Sequence, residues 1–245
     1  MPAQYELKVA SNRPLTPHMR RIRLHGESLR DFPDDQESGY VKLVLQDGNS
    51  EKPLLRSYTI RAFDRERCEL TLDFVDHGDT GPASAWANQA KPGESVVIRG
   101  PGEKKLADPT ADWFVLAGDM SALPALAVNL EQLPAHARGY ALIEVLSEED
   151  KQDIAAPDQV DVRWLINPDN ETENTLLADA VKRLDWLPGT PYPWFAGEFS
   201  TMRQIRRYFR DEKGIDKRAM YVSSYWKIGD TDEGMKLAKR MDTEA

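Results

Sequence analysis

The chain of 245 residues has one cysteine, Cys68. This excludes an internal disulfide and any cluster of thiolate ligands, so neither an iron–sulfur centre nor a cysteine metal site is expected. A basic excess is also missing. The formal net charge is −9, whereas general nucleic-acid binding needs a basic field. No apolar run reaches the roughly 18 residues of a membrane span, so membrane insertion is not expected. The first fifteen residues, Met1 to Leu15, show no basic region leading into an apolar stretch. No secretory leader is read there, and a cytoplasmic protein is expected. No Gly-x-Gly-x-x-Gly fingerprint occurs. Neither a catalytic triad nor a metal-ligating set is read, so no residue is assigned as catalytic or as a metal ligand.

What is present is enough apolar residue for a packed core, 40% of the chain, under a surface drawn from 30% charged residues. The pattern changes once along the chain. Short alternating segments dominate the first hundred residues: Tyr5 to Val9, Met19 to Leu24, Tyr40 to Leu45, Arg56 to Arg61, Glu69 to Val75 and Ser95 to Arg99. Such spacing predicts an antiparallel barrel or sandwich, with one helix from about Ser84 to Ala90 entered through Gly81-Pro82. Beyond Pro109, apolar strands alternate with helices. Strands are predicted at Trp113 to Ala117, Gly139 to Leu146, Val160 to Ile166, Pro193 to Gly197 and Ala219 to Tyr225. Helices are predicted at Leu123 to Leu133, Thr175 to Leu184 and Ser200 to Asp211, with a tail helix from Thr231 to Met241. This alternation predicts a parallel sheet covered on both faces.

Two segments carry the chemistry. Arg56-Ser57-Tyr58-Thr59 sets a guanidinium, hydroxyls and a phenol along one strand, a combination suited to phosphate and a flat ring. Gly81-Pro82-Ala83-Ser84 opens a helix whose first N–H groups suit an anion. Each alone reads equally as an alternating strand or an ordinary helix start. In order, and followed by strand ends at Gly118-Asp119 and Gly197-Glu198, they predict a flavin site followed by a nicotinamide site.

The ordered series resembles the siderophore-interacting proteins, FAD-containing ferric-siderophore reductases of the ferredoxin reductase-like superfamily. It comprises Tyr40-Val41-Lys42-Leu43, Arg56 to Arg61, Asp73-Phe74-Val75-Asp76-His77-Gly78 and Gly81 to Ala87. It continues through Pro92-Gly93-Glu94, Gly100-Pro101-Gly102, Gly118-Asp119, Ala122-Leu123-Pro124-Ala125, Ala196-Gly197-Glu198 and Tyr225-Trp226. The fold this resemblance implies is all-β plus α/β. An antiparallel flavin-binding β-barrel over residues 1–107 precedes a doubly wound parallel-sheet NAD(P)H-binding domain over 108–245.

The residue roles are likewise what the resemblance implies. Arg56, Ser57, Tyr58 and Thr59 hold the flavin ring and ribityl-phosphate region. Asp73, Phe74, Val75 and His77 line the dinucleotide, and Ala83 and Ser84 donate to its pyrophosphate. Asp119, Ser121, Ala122 and Trp226 lie near the cofactor. Gly197 and Glu198 face the nicotinamide nucleotide. Two departures from the family pattern stand out: Met120-Ser121 replaces Glu-Thr, and Lys227-Ile228-Gly229-Asp230 replaces a more basic stretch.

The expected substrate is a ferric siderophore, with Lys42, Arg61 and Lys227 as candidate cations at its entrance. The expected donor is NADPH or NADH, with ferredoxin as another partner. Arg203, Arg206 and Arg207 either contact a 2′-phosphate or form a solvated helix face. Two other functions fit the same fold: a general flavin or ferredoxin-type reductase, and a non-catalytic iron-chelate binding module.

Overall fold

The computed structural model describes residues 3–46, 53–76 and 81–243, and divides into two compact units, residues 1–105 and 106–245. The first is a closed antiparallel barrel of six strands. These are β1 (Gln4–Thr16), β2 (Met19–His25), β3 (Tyr40–Leu45), β4 (Leu54–Asp64), β5 (Glu69–Val75) and β6 (Ser95–Gly102), in the order β1-β2-β5-β4-β3-β6. Alternation decides which face is core. Val41, Leu43 and Leu45 of β3 are buried, as are Leu70, Leu72 and Phe74 of β5, while Lys42 and Val44 turn outward. β1 runs well past the predicted Val9. Register shifts between Val9 and Ser11 and between Pro14 and Thr16 carry it on, which lets a proline sit within the strand.

Helix α1 (Pro82–Gln89) is fixed to this barrel by side chains. Asn12 of β1 donates to the carbonyls of Ala87 and Ala90, at 2.7 and 2.8 Å. Arg20 of β2 reaches Asn12 at 3.0 Å and Asn88 at 3.2 Å, and Asn88 donates to Asp76 at 3.0 Å. Two carbonyls at the C-terminal end of the helix, those of Ala87 and Ala90, are thus satisfied, and that end is tied to β1 and β2.

The second unit is a five-stranded parallel sheet in the order β11-β10-β7-β8-β9. Its strands are β7 (Trp113–Gly118), β8 (Arg138–Val145), β9 (Gln159–Ile166), β10 (Pro191–Glu198) and β11 (Tyr221–Trp226). β7 is buried along its whole length because helices cover both faces. Trp113, Val115 and Ala117 pack with α3 (Leu176–Lys182) and α4 (Phe199–Arg207). Gly118 lies against Ala122 and Leu126 on the side of α2 (Leu123–Gln132). The chain leaves β7 in one direction for β8 and β9, and returns on the other side for β10 and β11. The point where the order reverses therefore lies between β7 and β10. The predicted helix from Ser200 to Asp211 closes as an α-helix at Arg207 and then widens over Tyr208–Glu212, where the Lys213 N–H bonds the Tyr208 carbonyl. The tail forms α5 (Asp232–Thr243), and the Thr231 hydroxyl accepts from the Gly234 N–H at 3.2 Å.

One ion pair in the barrel tests this account. Arg21 of β2 lies opposite Asp73 of β5 and grips its carboxylate with two bonds, at 2.7 and 2.8 Å. Asp73 is only 6% exposed, so its charge depends on that partner. Replacing Arg21 by Met should lower stability by about 3–5 kcal/mol, read as a lower urea midpoint. Adding Asp73→Asn should recover most of the loss. An unchanged midpoint for Arg21→Met would refute the pairing.

Candidate functional site

β4 and β5 pair from Asp64 and Glu69 as far as Ile60 and Leu72, and there the ladder ends. Beyond that point residues 54–59 pair only with β3, and residues 73–75 only with β2. The two strands part over the segments that the sequence marks as ligand-binding, and their facing backbone groups form no ladder across the gap.

Tyr58 stands in this region, half-buried, with its ring 4.1 Å from that of Phe74 and inclined by 33°. Phe74 in turn lies 5.7 Å from Trp86 of α1. This aromatic chain couples β4, β5 and α1. Burial raises the Tyr58 phenol's pKa, so the group keeps its proton and remains a donor. Arg56 donates to the Leu55 carbonyl at 3.2 Å, which fixes its guanidinium along β4. Ser57 and Thr59 lie opposite Lys42 and Tyr40 of β3, on the outward side.

Gly81 enters α1 at φ 91° and has no side chain to cap the helix, and its first turn carries no acid. Pro82 has no N–H, and the first intrahelical bond runs from the Ala85 N–H to the Gly81 carbonyl at 3.0 Å. The N–H groups of Ala83 and Ser84 precede that bond. A parted pair of strands, a helix start behind a glycine and a guanidinium on one barrel form the donor set that a flavin dinucleotide requires, so these residues fit FAD.

At two positions the side chains have other uses. Phe74 is 1% exposed and belongs to the barrel core, and the Asp73 carboxylate is held by Arg21. Only their backbone groups remain to line a ligand. Val75 is half-buried at the end of β5, and His77 lies outside the described residues.

At the carboxyl edge of the parallel sheet, Asp119 follows β7 and accepts four bonds. Oδ1 takes the Ser121 N–H at 2.9 Å and the Ser121 hydroxyl at 2.5 Å. Oδ2 takes the Glu198 N–H and the Trp226 indole N–H, both at 2.8 Å. Glycine at 197 is required, since a Cβ there would lie 2.6 Å from the Asp119 carboxylate. Glu198 is 6% exposed and caps α4, its Oε2 accepting from the N–H groups of Ser200 at 2.5 Å and Thr201 at 3.0 Å. Ala122 is fully buried against Gly118. The side chains of Asp119, Ser121 and Glu198 and the Trp226 indole N–H are therefore engaged with one another and with the local backbone.

The candidate cations divide. Lys42 faces outward from β3, with Ser57 on one side and Arg99 of β6 on the other. Arg61 is half-buried on β4. Lys227 pairs with Asp230 at 2.8 Å. Arg203 bonds Asp242 of α5 at 3.2 Å, and Arg206 contacts the same carboxylate. Two residues escaped the sequence reading. Arg99 emerges only from the β3–β6 register. Glu144 reads as the polar break in an apolar strand, Ala141-Leu142-Ile143-Glu144-Val145, yet it stands at the sheet's carboxyl edge. Burial raises its pKa, and the nearby Asp119 and Glu198 add to the effect.

Comparison with known proteins agrees with both units. The family described as siderophore-interacting protein matches residues 111–229, and the siderophore-interacting FAD-binding domain matches residues 8–55 and 46–105. The ferric vibriobactin reductase ViuB of Vibrio cholerae is 34% identical over 235 residues, which is 88% of this chain and 86% of that protein. The crystal structure of the siderophore-interacting protein SipS from Aeromonas hydrophila superposes with a TM-score of 0.90 at 33% identity, covering 100% of this chain and 99% of that one. The ferredoxin reductase in carbazole 1,9a-dioxygenase, 15% identical with a TM-score of 0.69 over 91% of this chain and 69% of that one, shares the fold. A ferredoxin reductase-like barrel and parallel sheet, an FAD-binding domain and a full-length relative together show that this chain belongs to the siderophore-interacting protein family.

Proposed function

We propose that this protein is a flavin-dependent ferric-siderophore reductase that draws electrons from a reduced nicotinamide. The observation that carries this reading is the opening between β4 and β5, where Arg56 and Tyr58 lie on β4, on the barrel that also bears α1 behind Gly81. When bound there, FAD supplies an acceptor for a hydride and a donor of single electrons to chelated Fe(III). The overall reaction balances without further reagents: one reduced nicotinamide and two ferric ions give one oxidised nicotinamide, two ferrous ions and one proton. Ferrous iron binds hard anionic oxygen donors less strongly than ferric iron does, so reduction loosens the chelate.

The protein's own residues supply binding and orientation. The N–H groups of Ala83 and Ser84 and the Arg56 guanidinium hold negative phosphate oxygens. The protonated Tyr58 phenol donates while Phe74 fixes its ring. On the outward side of the barrel, Lys42 and Arg99 are direct cross-strand neighbours of like charge. That arrangement is unfavourable alone and is relieved by an anion, as in the carboxylate, hydroxamate or catecholate arms of a ferric chelate. With Arg61 they form the entrance we assign to the substrate. Lys227, already paired with Asp230, contributes less.

Two experiments test the reading. Purified protein should be yellow, lose its visible flavin bands when NADH or NADPH is added without oxygen, and regain them on addition of a ferric siderophore, with Fe(II) trapped by a ferrous-specific dye. Colourless protein would favour an iron-chelate binding module. Bleaching that only a ferredoxin-like acceptor reverses would favour a ferredoxin-type reductase. Separately, Lys42→Ala and Arg99→Ala should each raise the KM for an anionic ferric chelate by about twofold to fivefold while flavin content stays constant. An unchanged KM in both variants would remove this face from the substrate site.

A further inference from the structure

We propose that Glu144 is a specificity-determining residue that makes NADH, rather than NADPH, the nicotinamide donor. The proposal rests on the reductase reading above.

Glu144 is the penultimate residue of β8, which lies next to β7 on the side away from the point of strand reversal. In a doubly wound sheet of this order, the dinucleotide crosses the carboxyl edge of the strands. A carboxylate at the end of the second strand meets the adenosine ribose there, accepting from its hydroxyls. The Glu144 side chain is held for such a role. Asn167, just beyond β9, donates to Oε1 at 2.8 Å, and the Asn167 N–H bonds the Val145 carbonyl at 2.8 Å. Among the described residues Oε2 has no protein donor, so one oxygen is fixed and the other is left for a hydroxyl.

The surroundings oppose a 2′-phosphate. Asp119 and Glu198 are close enough to act electrostatically on Glu144, so an added phosphate dianion would join three carboxylates at a half-buried edge. The cations that might offset this are engaged. Arg203 and Arg206 share the Asp242 carboxylate, Lys151 holds Glu148, and Lys227 holds Asp230. Arg207 lies at the last residue of α4, about 12 Å along the helix from its start at the sheet edge. A ribose bearing free hydroxyls meets an acceptor here, whereas a phosphorylated one meets repulsion.

The test is equilibrium binding of NAD+ and NADP+ to the flavin-loaded protein by calorimetry, alongside KM values for NADH and NADPH. NAD+ should bind at least about tenfold more tightly than NADP+. Glu144→Gln keeps the oxygen that Asn167 bonds but removes the charge, and should cut the NAD+/NADP+ ratio by about tenfold, mostly through better NADP+ binding. Asn167→Ala should shift the ratio the same way by a smaller factor, because the carboxylate loses its orientation. A wild-type protein that binds NADP+ as well as NAD+ would overturn the proposal, as would a ratio unmoved by Glu144→Gln in protein of native circular dichroism. If neither dinucleotide binds and neither bleaches the flavin, the nicotinamide reading itself fails and takes this assignment with it. Binding without selectivity defeats only the role of Glu144.

Discussion

One carboxylate organises the second unit. Asp119 ends the central strand β7 and draws the ends of β10 and β11 towards it through the Glu198 N–H and the Trp226 indole. An acid this deeply set is costly unless its oxygens are bonded, and here all four bonds come from donors at the carboxyl edge. Burial still raises its pKa, so bonding offsets the desolvation without abolishing it. Other features follow from this arrangement. Position 197 tolerates no Cβ, Ser121 orients towards Asp119, and Glu198 is delivered to the start of α4 with its side chain ready to cap it.

The two long-sequence signals for anion binding turn out to differ in kind. Both α1 and α4 follow a strand and a glycine; from sequence the first suggests a helix start facing an anion and the second a turn facing the nicotinamide nucleotide. At α4 the chain supplies its own anion, since Glu198 accepts from the first free N–H groups and no phosphate can take the same place. At α1 the preceding residue, Gly81, has no side chain to cap the helix and no acid lies in the first turn, so no carboxylate of the helix itself offsets its dipole. The flavin site we propose therefore draws on α1 for its phosphate. A nicotinamide dinucleotide at the sheet edge must find its contacts away from the start of α4.

Much of the architecture was legible because alternation is a strong signal where one face is core. β3 and β5 fall at the predicted limits, since Val41-x-Leu43-x-Leu45 and Leu70-x-Leu72-x-Phe74 leave no other register. β1 was read short because its second half carries bulges and Pro14, which break the period without ending the strand. The flavin segments were legible as chemistry, but the use of individual side chains was not. Asp73 and Phe74 sit within the motif, yet strand pairing gives one to Arg21 and the barrel core takes the other. Arg203 and Arg206 resemble phosphate ligands until α5 brings Asp242 to them from far along the chain. Local sequence indicates which groups are available, and long-range pairing determines which remain so.

The net charge of −9 is reconciled with the anionic substrate we propose once the charges are followed to their partners. Many of the described cations are paired, among them Arg21 with Asp73, Arg23 with Glu69, Arg65 with Asp34, and Arg203 and Arg206 with Asp242. Lys42 and Arg99 are instead set opposite each other on β3 and β6, where a fold selected only for stability would place opposite charges. Beyond a Debye length of about 8 Å the surrounding acids are screened, so a chelate at this face feels the adjacent cations more than the net charge. The same screening leaves Asp119, Glu144 and Glu198 to govern the sheet edge. Their local field disfavours added phosphate there, while Lys42 and Arg99 make the barrel's outward face locally positive. Within one acidic chain, partner choice thus sets two local fields of opposite sign.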